Sequence, residues 1–285
     1  LALNLPGPAA LMRLAAMGAK CLKVEPPGPG MTPAGRPISG DPMGQYDIGA
    51  YSALHEGIRV VQLDLKAERG QAQLARELLR ADLLLTSFRP SALVKLGLDW
   101  KALRRTYPHV SMVEIVGAPG ARADEPGHDL TYLAEAGLVT GTELPPTLLA
   151  DTAGALMASE AALAALMQAR ATGRGQHRQV ALSSAAEWLA LPRTWGLTLP
   201  SGSVGGAHAG YRVYPCKDGR VAIAALEPHF ARALFAVAGL PPPDARAPFA
   251  PQAREAIAAW ALSKTRKQLD ALAAQHDIPL HTLSK

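Results

Sequence analysis

Two apolar runs decide the fold class: Ala81-Asp-Leu-Leu-Leu-Thr-Ser-Phe88 and Val110-Ser-Met-Val-Glu-Ile-Val116. Both are typical of β-strands. Nearer the start of the chain, helical and strand-like segments alternate, with helices at 9–17 and 70–80 and strands at 21–25 and 59–63. Such alternation predicts a parallel α/β sheet that binds its ligands near the carboxyl ends of the strands.

The segments around these runs are less regular. The Pro- and Gly-rich stretch from Pro26 to Gly44 is expected to be a loop. After Gly117 the pattern changes: 129–138 and 152–170 read as helices, and 180–190 reads as a strand followed by a helix. The larger part of the chain is therefore expected to be a mixture of helices and parallel strands.

A second, smaller domain is expected near the end of the chain. The Gly- and Ser-rich segment Pro200–Gly210 is typical of a linker. Two strand-like runs then flank a turn at Lys217–Gly219, which predicts a β-hairpin, and two or three helices follow. We expect a large α/β domain over residues 1–204 and a small α+β domain over 205–285.

The composition fits a globular protein with a sizeable core. The 285 residues are 48% hydrophobic, and alanine supplies much of that share, which favours helices. The Ala-rich stretch Thr152–Arg170 contains Ser159, Glu160 and Gln168, so we interpret it as a buried helix and not as a membrane span. The first residues lack the basic and apolar regions of a signal peptide. We expect a cytoplasmic protein with no membrane partner.

Charge and cysteine content narrow the classes of partner. The formal net charge of +5 reflects either an Arg-rich surface or a polyanionic ligand such as a nucleotide phosphate. Basic residues are not interleaved with aromatic ones in any run, so nucleic acid is not expected as a partner. Cys21 and Cys216 have no metal-ligand or redox spacing, and two thiols do not indicate a disulfide framework.

The first candidate motif is Pro126-Gly-His-Asp-Leu-Thr-Tyr132, at a junction between a loop and a helix. An exposed histidine such as His128 can act as a base there, because the positive end of a helix favours the neutral imidazole. In the alternative interpretation Asp129 or Thr131 caps the helix and His128 has no chemical role.

The second candidate is Leu149-Ala-Asp-Thr-Ala-Gly154, at the start of the long apolar helix. Asp151 is well suited to an N-cap, which is the simpler interpretation. The same position would also expose a carboxylate at the mouth of a site, with Gly154 leaving room for a ligand.

The third candidate is Leu226-Glu-Pro-His-Phe230, which follows the predicted hairpin. Because Glu227 precedes Pro228, its backbone is expected to be extended. Pro228 would then begin a helix. The simpler role for Glu227 is a carboxylate that interacts favourably with the helix dipole.

Several common catalytic motifs are absent from the sequence. The histidines are scattered and none forms a His-x-x-x-His pair, so no metal site is expected. There is no Walker-type loop, and Gly28-Pro-Gly30 does not match the dinucleotide fingerprint. Ser183-Ser184 lacks the glycines of a nucleophile elbow.

Taken in order, short motifs along the chain resemble those of family III CoA-transferases. Gly127-His-Asp129 and Glu227-Pro-His-Phe230 are most similar to the α-methylacyl-CoA racemase branch, since the transferase branch usually lacks that histidine. The other matching motifs are Leu5-Pro-Gly-Pro8, Gly18-Ala-Lys-Cys-Leu-Lys-Val-Glu25, Leu63-Asp-Leu-Lys66, Ser87-Phe-Arg-Pro90, Leu96-Gly-Leu98 and Thr172-Gly-Arg-Gly-Gln176. The resemblance implies a Rossmann-like large domain, a smaller α+β domain and an interlocked homodimer.

The resemblance also implies roles for individual residues. In the racemase branch, the residues matching His128 and Asp151 lie on opposite faces of the substrate α-carbon. Glu227 matches an acid that reaches this histidine from the small domain of the other subunit. The CoA-binding positions of the family match Lys66, Arg89 and Lys95. The substrate is then an acyl-CoA thioester, and no cofactor is expected beyond its CoA moiety.

This chain departs from the family pattern at several positions. The acidic-Arg-Pro motif reads Glu25-Pro26-Pro27, so one phosphate-binding arginine is missing. The loop after the Val110 strand has the unusual sequence Val116-Gly-Ala-Pro-Gly120. The chain also begins inside the family's first strand and ends before a segment that returns to the large domain, so it is expected to be truncated at both ends.

Three functions fit these observations. The first is a racemase that removes the α-proton of a 2-methylacyl-CoA thioester and returns a proton to the opposite face, through an enolate. The second is a CoA-transferase in which Asp151 attacks the thioester and forms an acyl anhydride. His128 has no role in the second reaction. The third is a degenerate, non-catalytic CoA-binding relative.

Overall fold

The computed structural model describes residues 1–32, 34–35 and 37–284. The chain divides into two compact units, Leu1–Ala190 and Leu191–Lys285, and each is described by itself.

The first unit begins with a helix, followed by four strands and two further helices. The first and fourth of these strands pair in parallel, and the second and third are antiparallel. In chain order they are α1 (Pro6–Ala16), β1 (Leu22–Glu25), β2 (Pro27–Met31), β3 (Pro37–Ser39), α2 (Pro42–Tyr46), α3 (Ile48–Leu54) and β4 (Arg59–Gln62). The next elements are α4 (Glu68–Leu78), β5 (Leu83–Thr86), α5 (Pro90–Leu96), α6 (Trp100–Thr106), β6 (Ser111–Val116), α7 (Asp129–Glu135), α8 (Leu149–Thr172) and β7 (His177–Ala181). The helix α9 (Leu182–Thr194) begins in this unit and ends past its last residue, Ala190. A short 3₁₀ turn, Gly120–Asp124, lies between β6 and α7.

Parallel strands form the centre of this unit. β5, β6 and β7 make a three-stranded parallel sheet with β6 in the middle, and β1 pairs in parallel with β4. All six residues of β6 are buried. The expected α/β class is confirmed, and the strands predicted at 81–88 and 110–116 are β5 and β6.

The two faces of β6 pack against different helices, because successive side chains on a strand point to opposite sides. Val113 and Ile115 belong to a cluster with alanines of α8 and with Leu14 of α1. Met112 belongs to a cluster that contains leucines of three helices: Leu74 and Leu78 of α4, Leu93 of α5 and Leu103 of α6. The sheet is thus covered on both sides, as in other parallel sheets.

The long helix α8 is part of the first of these clusters. It is the one described helix long and apolar enough to cross a membrane by length and composition alone. Eight of its residues, mostly alanines, are buried, and it packs against α1, α7, β6 and β7. The observed packing agrees with the interpretation of Thr152–Arg170 as a buried helix.

The segment expected to be a loop at 26–44 contains regular structure. β2 and β3 form an irregular antiparallel hairpin with the residue pairs Pro27–Ser39 and Met31–Pro37, and α2 follows. The prediction of a loop was wrong because a residue outside this segment, Glu25 on β1, holds the hairpin in place. Such a contact cannot be read from the proline and glycine content of the segment. The Glu25 carboxylate accepts hydrogen bonds from Ser39 Oγ (2.9 Å) and from the Gly40 N–H (3.2 Å).

The second unit contains the predicted hairpin and a third strand. Its elements are β8 (Tyr211–Cys216), β9 (Gly219–Ala224), α10 (Pro228–Val237), α11 (Pro251–Leu262), α12 (Arg266–His276) and β10 (Leu280–Leu283). β8 and β9 are antiparallel, which confirms the hairpin, and β10 adds an antiparallel strand to β9. Val221, Leu234 and Ile257 lie in its core.

The segment Pro200–Gly210, which was expected to be a linker, forms a series of turns before β8. Its turns are hydrogen-bonded to one another, for example from the Gly202 N–H to the Leu199 carbonyl (2.7 Å) and from the Ala207 N–H to the Gly202 carbonyl (3.2 Å). The domain boundary expected between residues 204 and 205 stays a prediction, while the compact units meet at Ala190 and Leu191 in the sequence.

Candidate active site

His128 lies at the N-cap of α7, after the loop that leaves the carboxyl end of β6. Its backbone N–H donates a hydrogen bond to Thr131 Oγ1 (3.0 Å), and its side chain is exposed. The N-cap position is His128 itself, and Thr131 takes part in the cap through this hydrogen bond, whereas Asp129 is the first residue of the helix. An exposed imidazole at this position is accessible to a ligand.

Asp151 is the third residue of α8 and not its N-cap. The helix begins at Leu149 and its cap residue is Leu148, so the simpler interpretation of Asp151 as a cap is wrong. The Asp151 N–H instead donates to the Oδ1 atom of Asp129 (3.0 Å), a buried residue in the first turn of α7. This hydrogen bond ties the starts of α7 and α8 together.

The environment of Asp151 raises its pKa to about 6. Burial of the carboxyl group is the largest cause, and the negative charge of Asp129 adds to it, while His128 acts in the opposite direction. A carboxyl group that titrates near neutral pH can both accept and release a proton under physiological conditions. Because Asp129 directly follows His128 and its carboxylate accepts the Asp151 N–H, the structure places these two predicted site residues at the adjoining starts of α7 and α8.

Tyr132 is a residue at this site that the sequence did not indicate. A Cβ atom built on Gly117 or on Gly127 would lie 2.3 Å from its Oη atom, so the phenol occupies the notch between the two glycines. Burial raises the pKa of Tyr132 and so does the charge of Asp151, while Arg122 and Arg89 lower it. The one available signal was the pair of glycines that flank the loop before His128.

The three predicted CoA-binding residues are exposed and follow the carboxyl ends of parallel strands. Lys66 lies between β4 and α4, and its N–H donates to Asp64 Oδ1 (2.9 Å). Arg89 is the N-cap of α5, directly after β5, and Lys95 is in the last turn of the same helix. Arg89 and Lys95 therefore lie at the two ends of the short helix α5, whereas Lys66 follows β4.

Glu227 belongs to the second unit, where it is the N-cap of α10. Its backbone is extended, with φ −68° and ψ 145°, and Pro228 begins the helix, as expected from the sequence. The Glu227 side chain is exposed and forms no capping hydrogen bond with this helix.

A separate cavity of about 610 Å³ lies near the other end of α8. Trp100 and His177 line it and stack at 5.3 Å between ring centroids, together with Thr172 and Arg174. At 1.5 Å per residue, Thr172 is roughly 30 Å along α8 from Asp151. Within the described residues, no group of three or more His, Cys, Asp or Glu side chains could hold a metal ion.

Comparisons with known proteins point to one protein family. The family model described as CoA-transferase family III matches residues 1–285. A cinnamoyl-CoA:phenyllactate CoA-transferase of Clostridium sporogenes is 33% identical over 63% of this chain and 46% of its own length. The human α-methylacyl-CoA racemase is 32% identical over 82% of this chain and 62% of its own length. The chain thus spans about half to three fifths of these two relatives.

The fold also matches solved structures. A Mycobacterium tuberculosis protein solved in an orthorhombic crystal form covers 99% of this chain with a TM-score of 0.80 and 26% identity, and 80% of that protein is matched.

Proposed function

The chain belongs to CoA-transferase family III, and from that premise we propose that it is a racemase acting at the α-carbon of 2-methylacyl-CoA thioesters. The observation that carries the proposal is the proximity of His128 and Asp151 at the starts of α7 and α8, with the pKa of Asp151 raised to about 6. Because the relatives include both a racemase and CoA-transferases, the choice between these reactions depends on the site itself.

In the proposed reaction one residue removes the α-proton and the other supplies a proton from the opposite face. The Cα–H bond breaks, its electron pair passes into the enolate, and a new Cα–H bond forms with a proton from the second residue. Each turnover leaves His128 and Asp151 with exchanged protonation states. A carboxyl group whose pKa is raised to about 6 suits this exchange, because Asp151 can then both accept and release a proton without a strongly unfavourable transfer.

Other groups have supporting roles in the proposal. The enolate oxygen needs hydrogen-bond donors, and the first turn of a helix such as α8 offers N–H groups that the helix itself does not use. Following the family resemblance, Glu227 would stabilise the protonated form of His128 of the partner subunit. Lys66, Arg89 and Lys95 would bind the phosphates of CoA. We further propose a homodimer located in the cytoplasm, with no cofactor other than the CoA moiety of the substrate.

The alternative is CoA transfer through Asp151. A carboxyl group with a pKa of about 6 is largely ionised at pH 8, so it can also act as a nucleophile and form an acyl anhydride. The resemblance to CoA-transferases supports this alternative. It gives no role to His128, which is why we prefer racemisation.

The decisive experiment follows α-deuterium uptake into each enantiomer of a 2-methylacyl-CoA in deuterated water by mass spectrometry. For a racemase, His128→Ala and Asp151→Ala should each lower interconversion of the enantiomers by about 10²–10⁴-fold, since each removes one acid–base partner. Each variant should retain partial exchange with one enantiomer, and the preferred enantiomer should differ between them. Glu227→Ala should resemble a milder His128→Ala.

The controls are exposed residues of the same kind: His109→Ala for the histidine and Glu160→Gln on the same helix as Asp151. Both should behave like the unmodified protein. Full racemisation by His128→Ala, or an acyl adduct on Asp151 trapped with hydroxylamine, would show that the protein is not a two-base racemase. A chain that binds CoA but catalyses neither reaction is the degenerate relative.

A further inference from the structure

The loop between β6 and α7 ends at His128 and is attached to the rest of the unit by side chains. Near its middle, Arg122 donates hydrogen bonds to the Glu125 carboxylate (2.9 Å) and to both oxygens of Glu135 (2.7 and 3.2 Å). This bridge joins the loop to α7, the helix that His128 caps.

A second attachment joins the same loop to α5. The Asp124 Oδ1 atom accepts hydrogen bonds from Ser91 Oγ (2.7 Å) and from the Ser91 N–H (3.1 Å). Ser91 is the second residue of α5, two positions after Arg89. The loop that carries His128 is therefore fixed directly to the helix that carries Arg89 and Lys95.

The carboxylate of Asp124 also interacts electrostatically with Arg89 and Lys95. The two hydrogen bonds from Ser91 are the main reason that the pKa of Asp124 is lowered, and the charges of Arg89 and Lys95 lower it further. Asp124 thus combines two separable properties: a hydrogen-bond acceptor that holds the loop, and a negative charge beside two cations.

We infer that Asp124 is a positioning residue that sets the location of His128 relative to the anion-binding cations on α5. The inference rests on the proposed function, since it assumes that CoA binds at Arg89 and Lys95 and that His128 moves the α-proton. A ligand held at α5 by its phosphates reaches His128 at a fixed distance only if the loop keeps its attachment to Ser91. The negative charge of Asp124 also opposes the binding of a polyanion.

Two substitutions separate these effects. Asp124→Asn keeps an oxygen that accepts from Ser91 and removes the charge. The proton-exchange rate at saturating substrate should then stay within about twofold of the unmodified protein, while CoA should bind about two- to fivefold more tightly at low salt. The gain in affinity should disappear at high salt, because exposed charges are screened.

Asp124→Ala removes the acceptor as well as the charge. The exchange rate at saturating substrate should fall about tenfold or more, because small displacements of a catalytic group are costly, and CoA affinity should again be no weaker. Amide hydrogen exchange of residues 120–128 should become faster in this variant and not in Asp124→Asn. Ser91→Ala, which removes one of the two donors, should lower the exchange rate by a smaller factor and serves as the readout if Asp124→Ala does not fold.

Asp99→Ala is the matched control, because the Asp99 carboxylate accepts from the N–H groups of Lys101 and Ala102 at the start of its own helix, α6. It should leave the exchange rate and the affinity for CoA unchanged. The inference is overturned if Asp124→Ala and Ser91→Ala exchange protons as fast as the unmodified protein, or if Asp124→Asn is as slow as Asp124→Ala. Failure of the proposed function would look different, because the unmodified protein itself would then show no exchange.

Discussion

Asp129 illustrates how one side chain can affect both structure and chemistry at the site. Its carboxylate accepts the Asp151 N–H and so satisfies a donor in the first turn of α8. The same negative charge raises the pKa of Asp151. The candidate residues His128 and Asp151 could be found from their motifs, but this contact joins residues 22 positions apart and could not be read from local sequence.

The raised pKa of Asp151 predicts a pH-dependent cost in stability. The pKa is about 6 in the folded chain against an ordinary value of 3.8, so above pH 6 the folded state holds an ionised carboxylate in an unfavourable place. As the pH falls below 6 the folded state takes up the proton first, and the cost disappears by about pH 4. Asp151→Asn should therefore stabilise the protein at pH 8 by about 1–3 kcal/mol.

Chemical denaturation at pH 8 and at pH 4 measures this effect. The gain from Asp151→Asn should be small at pH 4, and Glu160→Gln, an exposed residue of the same helix, should show no gain at either pH. A gain that is equal at both pH values would mean that the carboxyl group is not under electrostatic strain.

At the scale of elements, the junction between β6 and α7 depends on the fit of Tyr132 between two glycines. In Gly117→Ala the new Cβ would lie 2.3 Å from Tyr132 Oη but 3.2 Å from Cζ, so the hydroxyl group causes most of the clash. In Gly127→Ala the ring atoms Cε1 and Cζ are themselves within 2.6 Å. Each substitution should destabilise the protein by about 1–3 kcal/mol.

Tyr132→Phe should distinguish these two glycines. It removes the hydroxyl group, so in a double-mutant cycle it should recover at least about 1 kcal/mol of stability in Gly117→Ala. In Gly127→Ala it should recover little stability, because the new Cβ would still clash with the aromatic ring. Equal recovery at both positions would contradict the described placement of the phenol.

The elements that could be predicted from the sequence are those with a strong local pattern. β5 and β6 are continuous apolar runs, and the hairpin β8–β9 is marked by its turn at Lys217–Gly219. β10 was missed because it is four residues long and is specified by pairing with β9, which lies far away in the sequence. β2 and β3 were missed because their proline and glycine content conceals strands that other side chains hold.

At the scale of the whole molecule, the net charge of +5 would attract the negatively charged phosphates of CoA. Arg89→Ala should weaken CoA binding, and the salt dependence of the affinity should become less steep, because each phosphate contact is screened by ions. Arg105→Ala, an exposed arginine of α6, should change neither quantity. Titration calorimetry at two salt concentrations provides the measurement, and unchanged affinity in Arg89→Ala would show that the phosphates bind elsewhere.

The exposed surface of α8 bears on the proposed homodimer. Leu156, Leu163 and Met167 follow one another at helical spacing and are 40%, 41% and 72% exposed. We expect a second copy of the chain to cover this stripe, because closed two-fold dimers are the commonest oligomers. Light scattering at micromolar concentration should give a dimer for the unmodified chain and for Leu79→Asp, and a monomer for Met167→Asp. A monomer in all three cases would contradict the shared active site.

The attachment of the β2–β3 hairpin has a consequence for how related chains can diverge. Its anchor is the buried network of Lys23, Glu25 and Asp41, in which Lys23 Nζ contacts Asp41 and lies 3.5 Å from Glu25. These three charges lie on β1 and directly after β3, so this network holds the hairpin at its base. Substitutions at exposed strand positions such as Met31 can therefore accumulate during evolution while the buried network stays unchanged, so relatives can acquire different surfaces here without losing the fold.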